Sequence, residues 1–275
     1  MNRKLKTILI ILIIIVLGIL LFNPTDNYER LDIAGSTSVQ PVVEALSEKF
    51  TELHANDTES QIKINVQGGG SGLGIRSVNQ GIVDIGTSSK ELTKEESKGL
   101  TQIILGYEGI VIVVNKENKV SDLSITQLRG IYNGSIRNWK QVGGKDLEIH
   151  VVSREDGSGT RDAFESLVLN NTKTYSKAII QSSTESVKQA VVSDPGAIGY
   201  VSLAHMSNNV NPVSVDGIYA SDATILDGTY KLQRAFILLI KGTPTGPVKE
   251  FLDFINSTEG QKVIEEEKIV LPQQK

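Results

Sequence analysis

The chain has 275 residues, with 28 Lys plus Arg against 32 Asp plus Glu and a formal net charge of −4. Its 39% hydrophobic content and 25 glycines are those of a globular protein, which excludes wholesale disorder and collagen-like repeats, and the acidic balance excludes a basic nucleic-acid footprint. Zero cysteines exclude disulfides, thiolate chemistry, Cys-based zinc sites and a lipid-modified N-terminal Cys, while the three histidines, His54, His150 and His205, lack metal-motif spacing.

In chain order, Arg3, Lys4 and Lys6 precede Ile8–Phe22, fifteen consecutive residues that are Ile, Leu, Val, Phe or Gly18. Cations followed by such a run predict export across a membrane. As a helix the run spans about 22 Å, short of the ~30 Å hydrocarbon core, and Leu5 and Thr7 extend it. It ends Leu20-Leu21-Phe22-Asn23-Pro24, without the small residues of a cleavage site. Residues 1–28 are therefore read as a membrane anchor, the alternative being a cleaved signal, with a short polar tether. The rest then faces outward, anchored at the cell surface, or periplasmic or secreted if the leader is removed.

Beyond the tether, Leu31–Ala34 reads as a strand. Val39, Val42, Val43, Leu46 and Phe50 then follow a 3.6-residue period, which predicts an amphipathic helix. Strands are predicted at 61–67, 82–87, 110–115, 147–153, 198–203 and 232–240. Helices are predicted at 73–79, 125–132, 161–169, 185–192, 248–255 and 261–268. This alternation predicts an α/β fold with mostly parallel sheet.

Three strand-to-helix junctions share one chemistry: Gly35-Ser36-Thr37-Ser38, Gly68-Gly69-Gly70-Ser71-Gly72 and Arg154-Glu155-Asp156-Gly157-Ser158-Gly159-Thr160. Each puts Ser or Thr at a helix N-terminus, where backbone N–H groups lack intrahelical partners and the helix dipole favours negative charge. Glycine lets backbone approach a ligand closely, and hydroxyls add donors. One such junction is an ordinary cap. Three of them, one carrying Arg154 and Arg161, predict helix N-termini converging on a small tetrahedral anion. Neither a nucleotide P-loop nor a G-x-S-x-G nucleophile elbow is present, and no histidine neighbours these serines in sequence.

Together with Val83-Asp-Ile-Gly-Thr-Ser-Ser89, Gly109-Ile-Val-Ile-Val-Val-Asn115 and Gly196-Ala-Ile-Gly-Tyr200, the ordered set resembles the PstS-type phosphate-binding proteins of phosphate ABC transporters. The resemblance implies a two-lobed type II periplasmic-binding-protein-like fold with two crossover hinge strands, placed at Ile110–Asn115 and near Leu232–Ile240. Lobe I would be 29–110 plus 235–275, and lobe II 111–234. It implies inorganic phosphate as ligand, permease subunits as partner, no cofactor and no metal. Family phosphate contacts map onto Thr37, Ser38, Ser71, Arg154, Ser158, Gly159 and Thr160, with Ser36 a secondary candidate. At the position of Ser89 other members carry an Asp whose carboxylate accepts a hydrogen bond from protonated phosphate and rejects sulfate, which has no proton to give. Ser89 has only a hydroxyl to offer, which leaves Glu108, just before the crossover, and Asp156, beside Arg154, as candidates for the discriminating carboxylate. Asp156 paired to Arg154 and Glu108 as a solvated charge are the plainer readings. The alternatives in function are a receptor for sulfate or molybdate, a surface phosphate-sensing module and, least supported, a phosphatase. Trp139 is expected to pack within the second lobe, and Asn56, Asn133, Asn170 and Asn256 open N-x-[ST] sequons.

Overall fold

The computed structural model describes residues 28–55 and 61–272. The predicted anchor and tether up to residue 27 and the Asn56 sequon lie outside them. No helix among the described residues is long and apolar enough to cross a membrane.

Strand β1 (Tyr28–Gly35) leads into helix α1 (Gln40–Leu53), then β2 (Gln61–Gly68), α2 (Ser71–Gln80), β3 (Ile85–Ser88) and the long β4 (Leu100–Asn115). There follow β5 (Asp122–Leu123), α3 (Ile125–Tyr132), β6 (His150–Arg154), α4 (Gly159–Leu169), β7 (Ile179–Gln181), α5 (Thr184–Ser193), β8 (Ala197–Ser202) and β9 (Val210–Val215). The chain closes with α6 (Asp222–Leu226), β10 (Gln233–Lys241), α7 (Gly246–Ile255) and α8 (Thr258–Glu266). Local chemistry sets several boundaries. Pro41 opens α1, where its missing N–H costs nothing. Ser124 and Gln127 form a capping box on α3. Gly81, at φ 70°, ends α2 in the left-handed region.

The strands follow the order β2-β1-β3-β10-β4-β8-β6-β7, with β9 on β4 and β5 on β9. The sheet is mixed: among the described residues five of its nine strand pairings are parallel, in keeping with the alternation, and four are antiparallel. Every pairing made by β4 and β10 is antiparallel. The reason is topological: β10 returns from the far half of the molecule and slots between β3 and β4, which run the same way, so it opposes both. β4 is also longer than the predicted 110–115 strand. Leu100–Gly109 pairs with β10, and from Ile110 onward the strand pairs with β8 and β9. Exposed Thr101, Gln102 and Ile104 on the first half break the apolar run that marked the second. The two long strands stay joined where they diverge: Ile110 N–H donates to Leu232 O at 2.7 Å, and Tyr230 O–H donates to Ile110 O at 2.8 Å.

Apolar packing divides at that point. One core gathers Leu31, Val43, Leu46, Phe50, Leu105, Phe236, Phe251 and Phe254. Another gathers Ile110, Ile112, Tyr132, Trp139, Phe164, Tyr200 and Leu232. Phe50 meets Phe251 edge-on at 5.6 Å, and Phe164 stacks on Tyr200 at 4.3 Å. Trp139 is buried and donates Nε1–H to Gly196 O at 2.9 Å, a packing role as expected. β5, β7, β9 and α6 escaped the sequence reading: three are too short to show a period, and Pro212 obscured β9.

Helix α2 lies close on β1 and β3 because Gly74 and Gly86 lack side chains. A Cβ on Gly74 would stand 2.6 Å from Thr87 O and 2.8 Å from Ala34 O, both backbone atoms. Gly74→Ala is therefore expected to destabilise the fold by about 1–3 kcal/mol through overpacking, read as a lower denaturation midpoint with an unchanged slope. An unchanged midpoint would refute the close-packing argument.

Candidate functional site

The three predicted junctions meet where the two cores face each other. Ser36, Ser38, Ser71, Ser89, Ser158 and Thr160 are all buried, at 3% exposure or less, and Arg154 is 1% exposed. Thr37 is half-buried at the rim. Ser36 Oγ donates to Ser89 Oγ at 2.8 Å, and Ser89 N–H donates to Ser71 Oγ at 3.0 Å. Ser38 Oγ lies 2.9 Å from Thr160 Oγ1, so hydroxyls from the first and third junctions bond directly. Gly72 N–H donates to Gly157 O at 3.0 Å, which joins the second junction to the third.

The cradle is made of helix ends. Ser71 opens α2 and Gly159 opens α4, and among the described residues no protein acceptor takes the N–H of Ser71, Gly159 or Thr160. Such amides at a helix N-terminus are donors for an anion. Two glycines are needed for the fit. Gly70 has φ 85° and lies against the Gly157 carbonyl. A Cβ on Gly159 would run into Ser71 Oγ and stand 2.8 Å from Ser89 Oγ.

Sequence reasoning missed a fourth helix end. Thr184, 1% exposed at the start of α5, has its Oγ1 3.1 Å from Ser38 Oγ and accepts from Arg154 Nη1 at 3.2 Å. The signal was the Ser183-Thr184 pair before the helix, but it carries no glycine and reads as a simple cap. Ser183 does cap α5 by accepting from Ser186 N–H. Ser158 likewise caps α4, its Oγ accepting from Arg161 N–H at 3.3 Å.

The charges are arranged differently from expectation. Arg154 is gripped by its neighbour Glu155, with Nε to Oε2 and Nη2 to Oε1 both at 2.8 Å. This bidentate pair fixes the guanidinium plane and leaves Nη1 aimed at the hydroxyl cluster. Asp156 does not orient Arg154. Its side chain is 90% exposed and pairs with Arg161 at 3.0 Å, so it is neither Arg154's partner nor a discriminating carboxylate inside the site. The i,i+1 geometry decides this: Glu155 is adjacent and long enough to fold back, while Asp156 points outward from the turn. Arg161 is structural, bonding Arg154 O at 2.9 Å and Glu165 at 2.8 Å. Glu108 is neither a solvated charge nor a cleft-facing acceptor. It is wholly buried and its carboxylate is taken up by Arg234, Ser202 and Leu203. Burial pushes its carboxyl above the usual carboxylate range, against the pull of Arg234.

The scaffold behind Arg154 is aromatic. Tyr200 O–H lies 2.9 Å from Ser153 Oγ and accepts from Arg154 N–H at 3.3 Å, and burial pushes its hydroxyl up to about 12. The arrangement as a whole offers backbone N–H groups, rotatable hydroxyls and one held guanidinium, which is the chemistry of oxyanion capture.

A match to a family model described as a PBP superfamily domain covers residues 23–259. The chain is 36% identical over 238 residues to the phosphate-binding protein PstS of Bacillus subtilis, covering 85% of this chain and 77% of that one. It is 30% identical to the phosphate-binding protein PstS of Borreliella burgdorferi, covering 94% of this chain and 96% of that one. Among solved structures, it superposes with TM-score 0.83 and 38% identity on a Clostridium perfringens substrate-binding protein assigned to a phosphate ABC transporter and solved with bound phosphate. That match covers 89% of this chain and 100% of the other.

His205 lies close enough to the site's cations to be affected by them. Burial first, and the Lys188 ammonium second, lower it from 6.5 to about 4. Since the unfolded state binds the proton first, stability should fall as pH drops from 6.5 to about 4. His205→Gln should flatten that part of the melting-temperature profile; a variant with the wild-type acid slope would contradict the assignment.

Proposed function

The chain belongs to the PBP superfamily and within it to the PstS phosphate-binding proteins, and from that premise we propose that it captures inorganic phosphate and delivers it to an ABC importer. The observation that carries the reading is the convergence of four helix N-termini on a buried cluster of hydroxyls beside Arg154. Phosphate would take the free amides of Ser71, Gly159 and Thr160, the hydroxyls of Thr37, Ser38, Ser71, Ser89 and Thr160, and Nη1 of Arg154. Thr184 joins this set, while Ser36 and Ser158 hold Ser89 and the α4 terminus in place.

The lobes would divide where the cores divide, with 29–110 and 235–275 on one side and 111–234 on the other. β4 and β10 would serve as the hinge. In the closed form, contacts such as Ser38–Thr160 and Lys90–Asp162, at 2.9 and 3.0 Å, bridge the two sides. Release to permease subunits would follow their opening. No covalent chemistry belongs to this reading. His54 bonds the Phe50 carbonyl and His150 pairs with Asp194, so neither is engaged as a base for the site's serines. The cationic, apolar N-terminal segment supports a location outside the cytoplasm with membrane attachment through that segment.

One observation keeps a second oxyanion in play: Glu155, the carboxylate beside Arg154, is committed to that guanidinium. Titration calorimetry of the anion-free protein with phosphate and then sulfate, at about pH 5.5 and pH 8, separates the readings. Tight phosphate binding without sulfate heat is expected. Equal affinities would make this a general oxyanion receptor, and no heat with either would sink the ligand assignment. Arg154→Ala should cost at least about 2 kcal/mol of phosphate binding, since it removes a charge-assisted donor from a desolvated site. Gly159→Val should weaken binding by crowding Ser71 and Ser89 while leaving the far-ultraviolet circular dichroism unchanged. Near-normal affinity in either variant would remove that residue from the site.

A further inference from the structure

We propose that the buried Glu108–Arg234 ion pair is a positioning device for the anion site, setting affinity through the Ser89 peptide without touching the ligand. The proposal rests on the phosphate reading above. Glu108 on β4 and Arg234 on β10 are register partners one position before β4 leaves β10. They are 0% and 6% exposed. Arg234 Nε and Nη2 lie 2.7 and 2.6 Å from Glu108 Oε1. Glu108 Oε2 accepts from Ser202 Oγ at 2.8 Å and from Leu203 N–H at 2.9 Å. The remaining arm, Arg234 Nη1, donates to the Ser89 carbonyl at 3.3 Å.

One pair thus holds four segments: both long strands, the end of β8 and the residue after β3. Stability alone does not account for it. Burying two ions costs so much desolvation that an apolar pair of similar volume generally serves a fold as well or better. An apolar pair could not, however, reach the Ser89 carbonyl or the Leu203 amide. Ser89 is then tethered three ways. Its N–H goes to Ser71 Oγ, its hydroxyl accepts from Ser36, and its carbonyl accepts from Arg234. Arg234 is the tether that comes from β10 at the point where it parts from β4, so the aim of the Ser89 hydroxyl is coupled to how β4 and β10 sit. Glu108, with both oxygens engaged, orients Arg234 and nothing else in the site.

The test is calorimetric titration of inorganic phosphate into the anion-free full chain and its variants, beside their melting temperatures. Glu108→Leu with Arg234→Met should melt near the wild type yet bind phosphate about tenfold more weakly, the effect of one lost hydrogen bond from a charged group. A double variant that melts normally and binds within twofold of wild type overturns the proposal. Should that variant not fold, Arg234→Lys keeps a cation for Glu108 but cannot also span to Ser89. It should bind several-fold more weakly, and wild-type affinity there overturns the proposal equally. The specific signature is coupling. In a Ser89→Ala background the Arg234→Lys penalty should shrink below twofold, because the hydroxyl being aimed is gone. An undiminished penalty would mean that Arg234 acts through general structure and would refute the positioning role. A wild type that binds no phosphate takes down the phosphate reading and this inference together, whereas binding left unchanged by the variants takes down this inference alone.

Discussion

A guanidinium removed almost wholly from water must be compensated, and the rest of the site is arranged around that constraint. Arg154 sits at 1% exposure at the end of β6. Glu155 closes two of its donors in a bidentate pair, and Thr184 receives the third direction. Held this way, the cation costs little further ordering when an anion arrives. The charge is also local. A chain of net charge −4 has no bulk field to draw phosphate in, so the attraction must come from short-range donors at fixed positions.

Those donors are mostly uncharged. Helix N-termini supply amides that no acceptor among the described residues takes, and serine and threonine hydroxyls supply groups that donate or accept by rotation. The hydroxyls of separate junctions bond to one another, Ser38 to Thr160 and Ser38 to Thr184, and therefore have hydrogen-bond partners within the protein itself. That matters because a buried hydroxyl without a partner is costly. Glycine at 70 and 159 lets the loops approach closely enough for this to happen.

The mechanical frame is the pair of long antiparallel strands. β4 and β10 run together for nine residue pairs, then part at Gly109, and each side carries its own core. A charged pair at the parting point is an expensive way to join strands, and its outward contacts end on Ser202, Leu203 and Ser89. The scaffold and the site are therefore continuous: Tyr200 supports Arg154 from β8, and Arg234 supports Ser89 from β10.

Much of this was legible in the sequence. The 3.6 period of α1, the apolar second half of β4 and the three glycine–hydroxyl junctions fixed where helices would start and what chemistry those starts could offer. Ser36, Ser38, Ser71, Ser89, Arg154 and Thr160 do converge in one buried cluster, because the residues at a helix start point to one end of the element whatever its neighbours are. What tertiary structure decided is which charge meets which. Asp156 was the expected partner of Arg154, but Glu155 holds it, since side-chain reach and turn geometry choose between adjacent carboxylates. Glu108 was a candidate for the cleft or for solvent, but Arg234, over a hundred positions away in sequence, takes it into the interior. Thr184 joined the site for the same reason. Periodicity and glycine placement are local properties that a sequence states outright. The pairing of buried polar groups depends on which strands lie side by side, and only the folded sheet sets that.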